Sequence, residues 1–355
     1  MKEDLPCTLV PVASLSGHED RAWGVAWNPV KSLLSTCSAD KTIRIYTYTS
    51  TPSPSFTLLA SVPTGHTKTV RGIAWSPSGT SLASASFDSN IGVFQREVDE
   101  DEGNVGAGEW ECVSMLEGHE TECKSVAWSA EGNLLASCSR DKTVWVWEAL
   151  PDGDFECMGV LMEHTQDVKC VAWHPTEEIL ASGSYDDTIK LYLDDPSEDW
   201  FCFQTLTGHT STVWSIAWSP CGRYLASASD DRTIRIWKRV EEHKWACVHV
   251  LDGAHERTIY AVSWGPKPDN AGARTLGWLA SAGGDGRINV WELEIEEDAE
   301  ENSPPRHRLL ARLEGAHSVS DVNGIVWCPR EGYRSLLASV GDDGEARIWR
   351  ISPSG

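Results

Sequence analysis

Residues 139–147 read SRDKTVWVW, and close relatives of this nonamer recur at 38–46 (SADKTIRIY), 184–192 (SYDDTIKLY) and 229–237 (SDDRTIRIW). Each is an Asp-centred turn feeding an alternating apolar run, the pattern of a turn followed by a strand. Upstream of each stands a His preceded by Gly, Glu or Ala: His18, His66, His119, His164, His209, His255 and His317. A Trp follows nine residues later in six copies (Trp27, Trp75, Trp128, Trp173, Trp218, Trp264) and ten later in the seventh (Trp327). An Asp lies 22 after the His in five copies (Asp40, Asp88, Asp141, Asp186, Asp231), and 30 and 26 after it in the last two (Asp285, Asp343). Six beyond each Asp is an aromatic: Tyr46, Phe94, Trp147, Tyr192, Trp237, Trp291, Trp349. Such self-similarity marks a repeat architecture.

Within a copy every segment reads as β. The fifth runs TVWSIAWS, a turn SPCGR, YLASAS, a turn DDR, then TIRIW. A fourth apolar run follows the aromatic in six copies, for example WECVSML (110–116) and FECMGVLM (155–162). The last copy ends at RISPSG without one, while TLVPVASL (8–15) precedes the first His. Pairing the two would close the ring and remove an open sheet edge. The expected fold is all-β: a single seven-bladed β-propeller over residues 8–350, closed by the N-terminal strand pairing in the last blade, with 1–7 and 351–355 as short tails. The marks resemble those of the WD40 propellers, although the Asp that commonly follows the third-strand aromatic is absent from every copy.

Composition narrows the function. The 355-residue chain has a formal charge of −23, against DNA or an anionic membrane as the main partner. No apolar run approaches the ~20 residues of a membrane span. The start, MKEDLPCTLV, lacks the basic and apolar regions of a secretory signal, and with eleven cysteines an odd count points to reduced thiols in the cytosol or nucleus.

Each copy holds a His, a Ser or Thr and an Asp, as in His209, Ser227 and Asp231. A catalytic triad occurs once, in a cleft with an oxyanion hole; seven copies at fixed spacing read instead as a buried network tying strands together. No residue set reads as a metal or cofactor site: C-x-x-C is absent, and Cys112, Cys157, Cys202, Cys247, Cys37 and Cys138 recur in step with the repeat, as small buried apolar residues would. Cys7 and Cys221 stand at less regular places. The acidic runs 97–103, 194–199 and 292–301 read as solvated loops on one face, joined there by the 265–278 insertion.

The opposite face carries the odd residues. Strand alternation suggests that residues three and five after the His look over the central channel, beside the residue before the Asp. These places hold Trp23, Arg71, Lys124, Lys169, Trp214, Tyr260 and Asn323, then Phe87, Arg140 and Tyr185, with Asp230 and Asp342 in later blades. Arg and large aromatics dominate interaction hot spots. Glu122 and Asp167, three after the His, partly neutralise Lys124 and Lys169. Arg140 stands out because Asp141 and Lys142 obey the repeat and it does not; it suits a partner's carboxylate, and a carboxylate-bearing tail with an aromatic side chain suits Arg71, Arg140, Trp214 and Tyr260 together.

Several segments, among them LEGHETECKSVAW (116–128), LASCSRDKTVWVWE (135–148), HTQDVKCVAWHP (164–175) and STVWSIAW (211–218), resemble the WD40 subunit of the cytosolic iron–sulfur protein assembly targeting complex. That resemblance implies a non-catalytic adaptor joining an iron-only-hydrogenase-like cluster carrier, a small MIP-type subunit and a large helical-repeat scaffold to apo-iron–sulfur clients. It also implies a functional role for the Arg of the SRDK motif, Arg140. Some relatives carry Leu-Tyr-Arg at the end of blade four, tied to co-chaperone docking; here it is Leu191-Tyr192-Leu193. The competing readings are a ubiquitin-ligase substrate receptor or signalling scaffold, which usually appends a further module, and a hydrolase using one His-Ser-Asp set.

Overall fold

Apolar runs of six to nine residues broken by Gly, Pro, Ser and Asp become short strands here because each turn residue takes a conformation that a continuing strand refuses. The computed structural model describes residues 5–49, 54–96, 109–151, 153–195, 199–266, 274–295 and 304–354. These form twenty-eight strands in seven antiparallel sheets of four, with no helix among the described residues. Blade three is representative, running from the channel to the rim as Cys123–Trp128, Leu134–Ser139, Val144–Ala149 and Phe155–Leu161. The seven-bladed propeller expected from the repeats is what the chain builds.

Blade seven takes its outermost strand from the start of the chain. Cys7–Leu15 pairs with Ala346–Pro353, Cys7 opposite Pro353 and Leu15 opposite Ala346. The two chain ends meet: the Ser354 amide donates to the Pro6 carbonyl at 2.9 Å, and the Ser354 hydroxyl to the Leu5 carbonyl at 2.7 Å.

The core lies between blades. Leu134, Ala136, Val144 and Val146 of blade three pack on Val168, Val171, Trp173 and Leu180 of blade four. Each fully buried Leu or Val there contributes ~1.5–3 kcal/mol. In five blades the Trp closing the inner strand adds a directional stitch. Trp75 Nε1 donates to the Ala26 carbonyl at 3.3 Å, Trp128 to Ala74 at 3.2 Å, Trp173 to Ala127 at 3.1 Å and Trp218 to Ala172 at 3.1 Å, each reaching the preceding blade. Trp27 closes the ring onto Val326 at 3.2 Å. Blades six and seven depart from the rule: Trp264 turns to Leu276 of its own blade, beside the insertion, and the buried Trp327 Nε1 meets no acceptor among the described residues.

Two backbone devices repeat in all seven blades. The residue after the Asp has φ between 66° and 81°: Lys41, Ser89, Lys142, Asp187, Arg232, and glycines 286 and 344. This left-handed turn lets the Asp carboxylate accept the amide two residues on, as Asp141 Oδ1 does from Thr143 at 2.9 Å. The second device is a pair of β-bulges. One sits on each inner strand. The other, on each outer strand, lies opposite the third-strand aromatic and leaves Val12, Leu59, Val113, Met158, Phe203, Val248 and Leu310 outside the ladder. A bulge twists an edge strand away from flat pairing, so each rim resists joining another sheet.

The thiols require a correction. Cys37 and Cys138 are buried as expected, but Cys112, Cys157 and Cys247 are exposed and Cys202 is half-buried. They sit on outer strands, where a position fixed by the repeat is still a rim position. Cys7 is half-buried and Cys221 exposed. The acidic runs 97–103, 194–199 and 292–301 and the insertion 265–278 fall wholly or partly outside the described residues.

Candidate functional site

The His–Ser/Thr–Asp sets close in all seven blades. Asp40, Asp88, Asp141, Asp186, Asp231, Asp285 and Asp343 meet Nδ1 of His18, His66, His119, His164, His209, His255 and His317 at 2.7–3.2 Å. The other ring nitrogen meets a Ser or Thr hydroxyl at 2.7–2.9 Å. In blades three, five and seven the aromatic adds a donor: Trp147 to Ser137 at 3.0 Å, Trp237 to Ser227 at 2.9 Å, Trp349 to Ser339 at 2.8 Å. The chain of donors therefore runs Trp to Ser to His to Asp. Burial alone would raise these Asp carboxyls; the bonds from His, Thr and backbone amides outweigh it and hold all seven below the ordinary range. Burial also lowers His18 and His66. Ser227 is wholly buried, so a scissile carbonyl cannot reach its oxygen. These sets tie turn to strand.

At the channel mouth, seven consecutive blades each present one residue from the inner-strand bulge: Trp23, Arg71, Lys124, Lys169, Trp214, Tyr260 and Asn323. The positions match the sequence reading, but the cause differs. Each is skipped by the ladder, so the bulge rather than plain alternation aims it over the opening. Trp23, Arg71, Phe87, Lys124, Lys169, Trp214 and Tyr260 line a cavity of about 260 Å³ together with Arg21, Asp321, Asn323 and Asp342.

Cations and rings alternate around it. The Arg71 guanidinium lies 4.7 Å from the Trp23 ring centre, and Lys124 Nζ lies 4.0 Å from that of Phe87. Lys169 Nζ sits between Tyr185 at 5.3 Å and Trp214 at 5.1 Å, and Trp214 meets Tyr260 edge-to-face at 5.3 Å. Each cation–ring contact is worth ~0.5–2 kcal/mol. Burial lowers Arg71 and Lys124, and Lys124 is lowered further by Lys169 and Arg71 although Glu122 opposes this. Three cations crowd here, of which Lys124 and Lys169 are each held by a carboxylate.

Arg140 and Tyr185 stand outside the cavity wall. The Arg140 side chain is 58% exposed and reaches Glu122 Oε1 at 3.5 Å, while Glu122 Oε2 holds Lys124. Lys169 is paired with Asp167 at 3.2 Å. Glu122 thus couples the rim guanidinium to the channel. On the far side the mouth is built from ion pairs: Arg21 with Asp342 at 3.4 Å, and Arg257 with Asp321 at 3.5 Å. Arg21 and Asp321 were not singled out in the sequence. Both occupy the place three after the His, once the extra residue of blade seven is allowed, so the rule that found Glu122 reaches them too.

The WD domain, G-beta repeat model matches residues 9–47, 56–95, 110–148, 155–192, 200–238, 245–292 and 308–350. A Mycosarcoma maydis protein named "Probable cytosolic iron-sulfur protein assembly protein 1" is 46% identical, covering 97% of this chain and 93% of that relative. The chain belongs to this family of WD40 propellers. A Cryptococcus neoformans protein of the same name is 42% identical over 97% of the chain and 99% of the relative. A Malassezia globosa protein, again so named, is 53% identical over 73% of the chain and 83% of its own length.

Proposed function

We propose that this chain is a non-catalytic adaptor of cytosolic iron–sulfur protein assembly that holds partner proteins at the channel mouth. The observation that carries the docking site is the arc of cations laid on aromatic rings from Trp23 to Tyr260, flanked by the exposed Arg140. Arg presents a planar fork to a carboxylate, and preorganised rings bury area at low entropic cost. The family membership supplies the pathway. The resemblance suggests the partners: a cluster carrier, a MIP-type subunit, a helical-repeat scaffold and apo-proteins awaiting clusters.

The test is Arg140→Glu beside Lys124→Glu, with co-purification of those partners from cytosol and circular dichroism as a fold control. Partner recovery is expected to fall at least about fivefold, the effect of one hot-spot residue, with folding intact. Undiminished recovery from both folded variants would remove the mouth from the interface.

A further inference from the structure

The charged side chains lining the channel cavity are Arg21, Arg71, Lys124, Lys169, Asp321 and Asp342. All but one meet an opposite charge: Arg21 with Asp342 at 3.4 Å, Lys124 with Glu122, Lys169 with Asp167 at 3.2 Å and Asp321 with Arg257 at 3.5 Å. The exception is Arg71. Among the described residues it has no carboxylate and no hydrogen-bond partner, and its guanidinium rests only on the Trp23 ring.

The repeat shows where the counter-ion is missing. Glu122 and Asp167 stand two residues before Lys124 and Lys169, whereas the same place before Arg71 holds Thr69. Burial lowers Arg71, and what opposes this is the thiols of Cys37, Cys138 and Cys170 rather than a carboxylate. Burial pushes those thiols up, Cys37 and Cys170 to about 12, so they carry no charge at neutral pH. A cation drawn out of water without a counter-ion is costly, and a ring face offsets only part of that cost.

The donors left over select the ion. The Arg71 fork is unused, and a lysine ammonium has three N–H groups, of which Lys124 and Lys169 each give one to their carboxylate. Unused donors thus stand on three consecutive blades around one cavity of about 260 Å³. A tetrahedral oxyanion offers acceptors in several directions, whereas a carboxylate has two oxygens in one plane.

We propose that this cavity binds a free phosphate-type oxyanion, with Arg71 as its principal contact and Lys124 and Lys169 as flanking donors. Arg140, outside the cavity wall, is not part of the site, which stands whether or not a partner docks on the mouth.

The probe is inorganic phosphate titrated into the full chain at constant ionic strength. Binding is read by calorimetry and by indole fluorescence, since Trp23 lies against Arg71. Saturable binding is expected, with acetate at least about tenfold weaker. Arg71→Gln should weaken phosphate binding at least about tenfold, the effect of losing a charge-assisted contact. Thr69→Asp keeps Arg71 but gives it the carboxylate that blades three and four already have, and should weaken binding as much. Lys244→Gln, on the exposed outer strand of blade five, makes the same change in net charge as Arg71→Gln and should leave binding unchanged. Circular dichroism verifies folding, and if Arg71→Gln does not fold, Thr69→Asp decides. The proposal is overturned if phosphate does not saturate, if acetate binds as tightly, or if folded Thr69→Asp binds as the wild type does.

Discussion

A single serine shows how much the repeat fixes. Ser227 donates to His209 and accepts from Trp237, so Ser227→Ala strands two buried groups at once. Ser84 serves His66 at 2.8 Å, but its aromatic is Phe94, which asks for nothing. An unsatisfied buried group costs ~1–3 kcal/mol. Ser227→Ala should therefore destabilise by about that much or more, and by more than Ser84→Ala. Urea unfolding of the two variants measures the difference; equal losses would mean that the indole bond adds nothing. Residues of this kind were legible from spacing, because one His, hydroxyl and Asp must recur wherever the turn recurs. The mouth residues were legible by position and not by cause, since a bulge leaves no mark that distinguishes it from alternation over six residues. The exposed thiols were misread for a related reason: spacing reports which strand a residue is on, not how deep that strand lies.

At the scale of the element, the tight turn between the second and third strands carries a conformational load. Arg232 has φ of 67°, a region where a side chain costs energy and glycine does not. Blades six and seven already use glycine there. Arg232→Gly is expected to leave stability unchanged or raise it by up to ~1 kcal/mol, offset in part by the greater freedom glycine gives the unfolded chain. Thermal unfolding at fixed pH reads this out, and a loss above that size would mean that the Arg side chain itself holds the turn. The strands and their order were readable because the apolar runs are short and the closing piece stands alone at the chain start. The Trp264 bond to its own blade was not readable, because it depends on where the insertion returns.

For the whole molecule, acid is the informative variable. The seven network carboxyls have folded-state values below their ordinary 3.8, so their contribution is complete above about pH 4 and is lost as pH falls through the folded values. His18 and His66 are lowered from 6.5 by burial, so their contribution is complete above about pH 6.5 and declines below it. Unfolding free energy at constant ionic strength should show a plateau above about pH 6.5, a shallow decline to about pH 4 and a steep one beneath. A profile flat from pH 7 to 5 would contradict the assignment of His18 and His66. The seam at blade seven has a different consequence. With Ser354 bonded to Pro6 and Leu5, residues 5 and 354 lie close enough for a short peptide linker to join them, and new ends could be opened in a loop elsewhere in the ring. The wheel has a latch, and nothing in its geometry requires that latch to lie in blade seven.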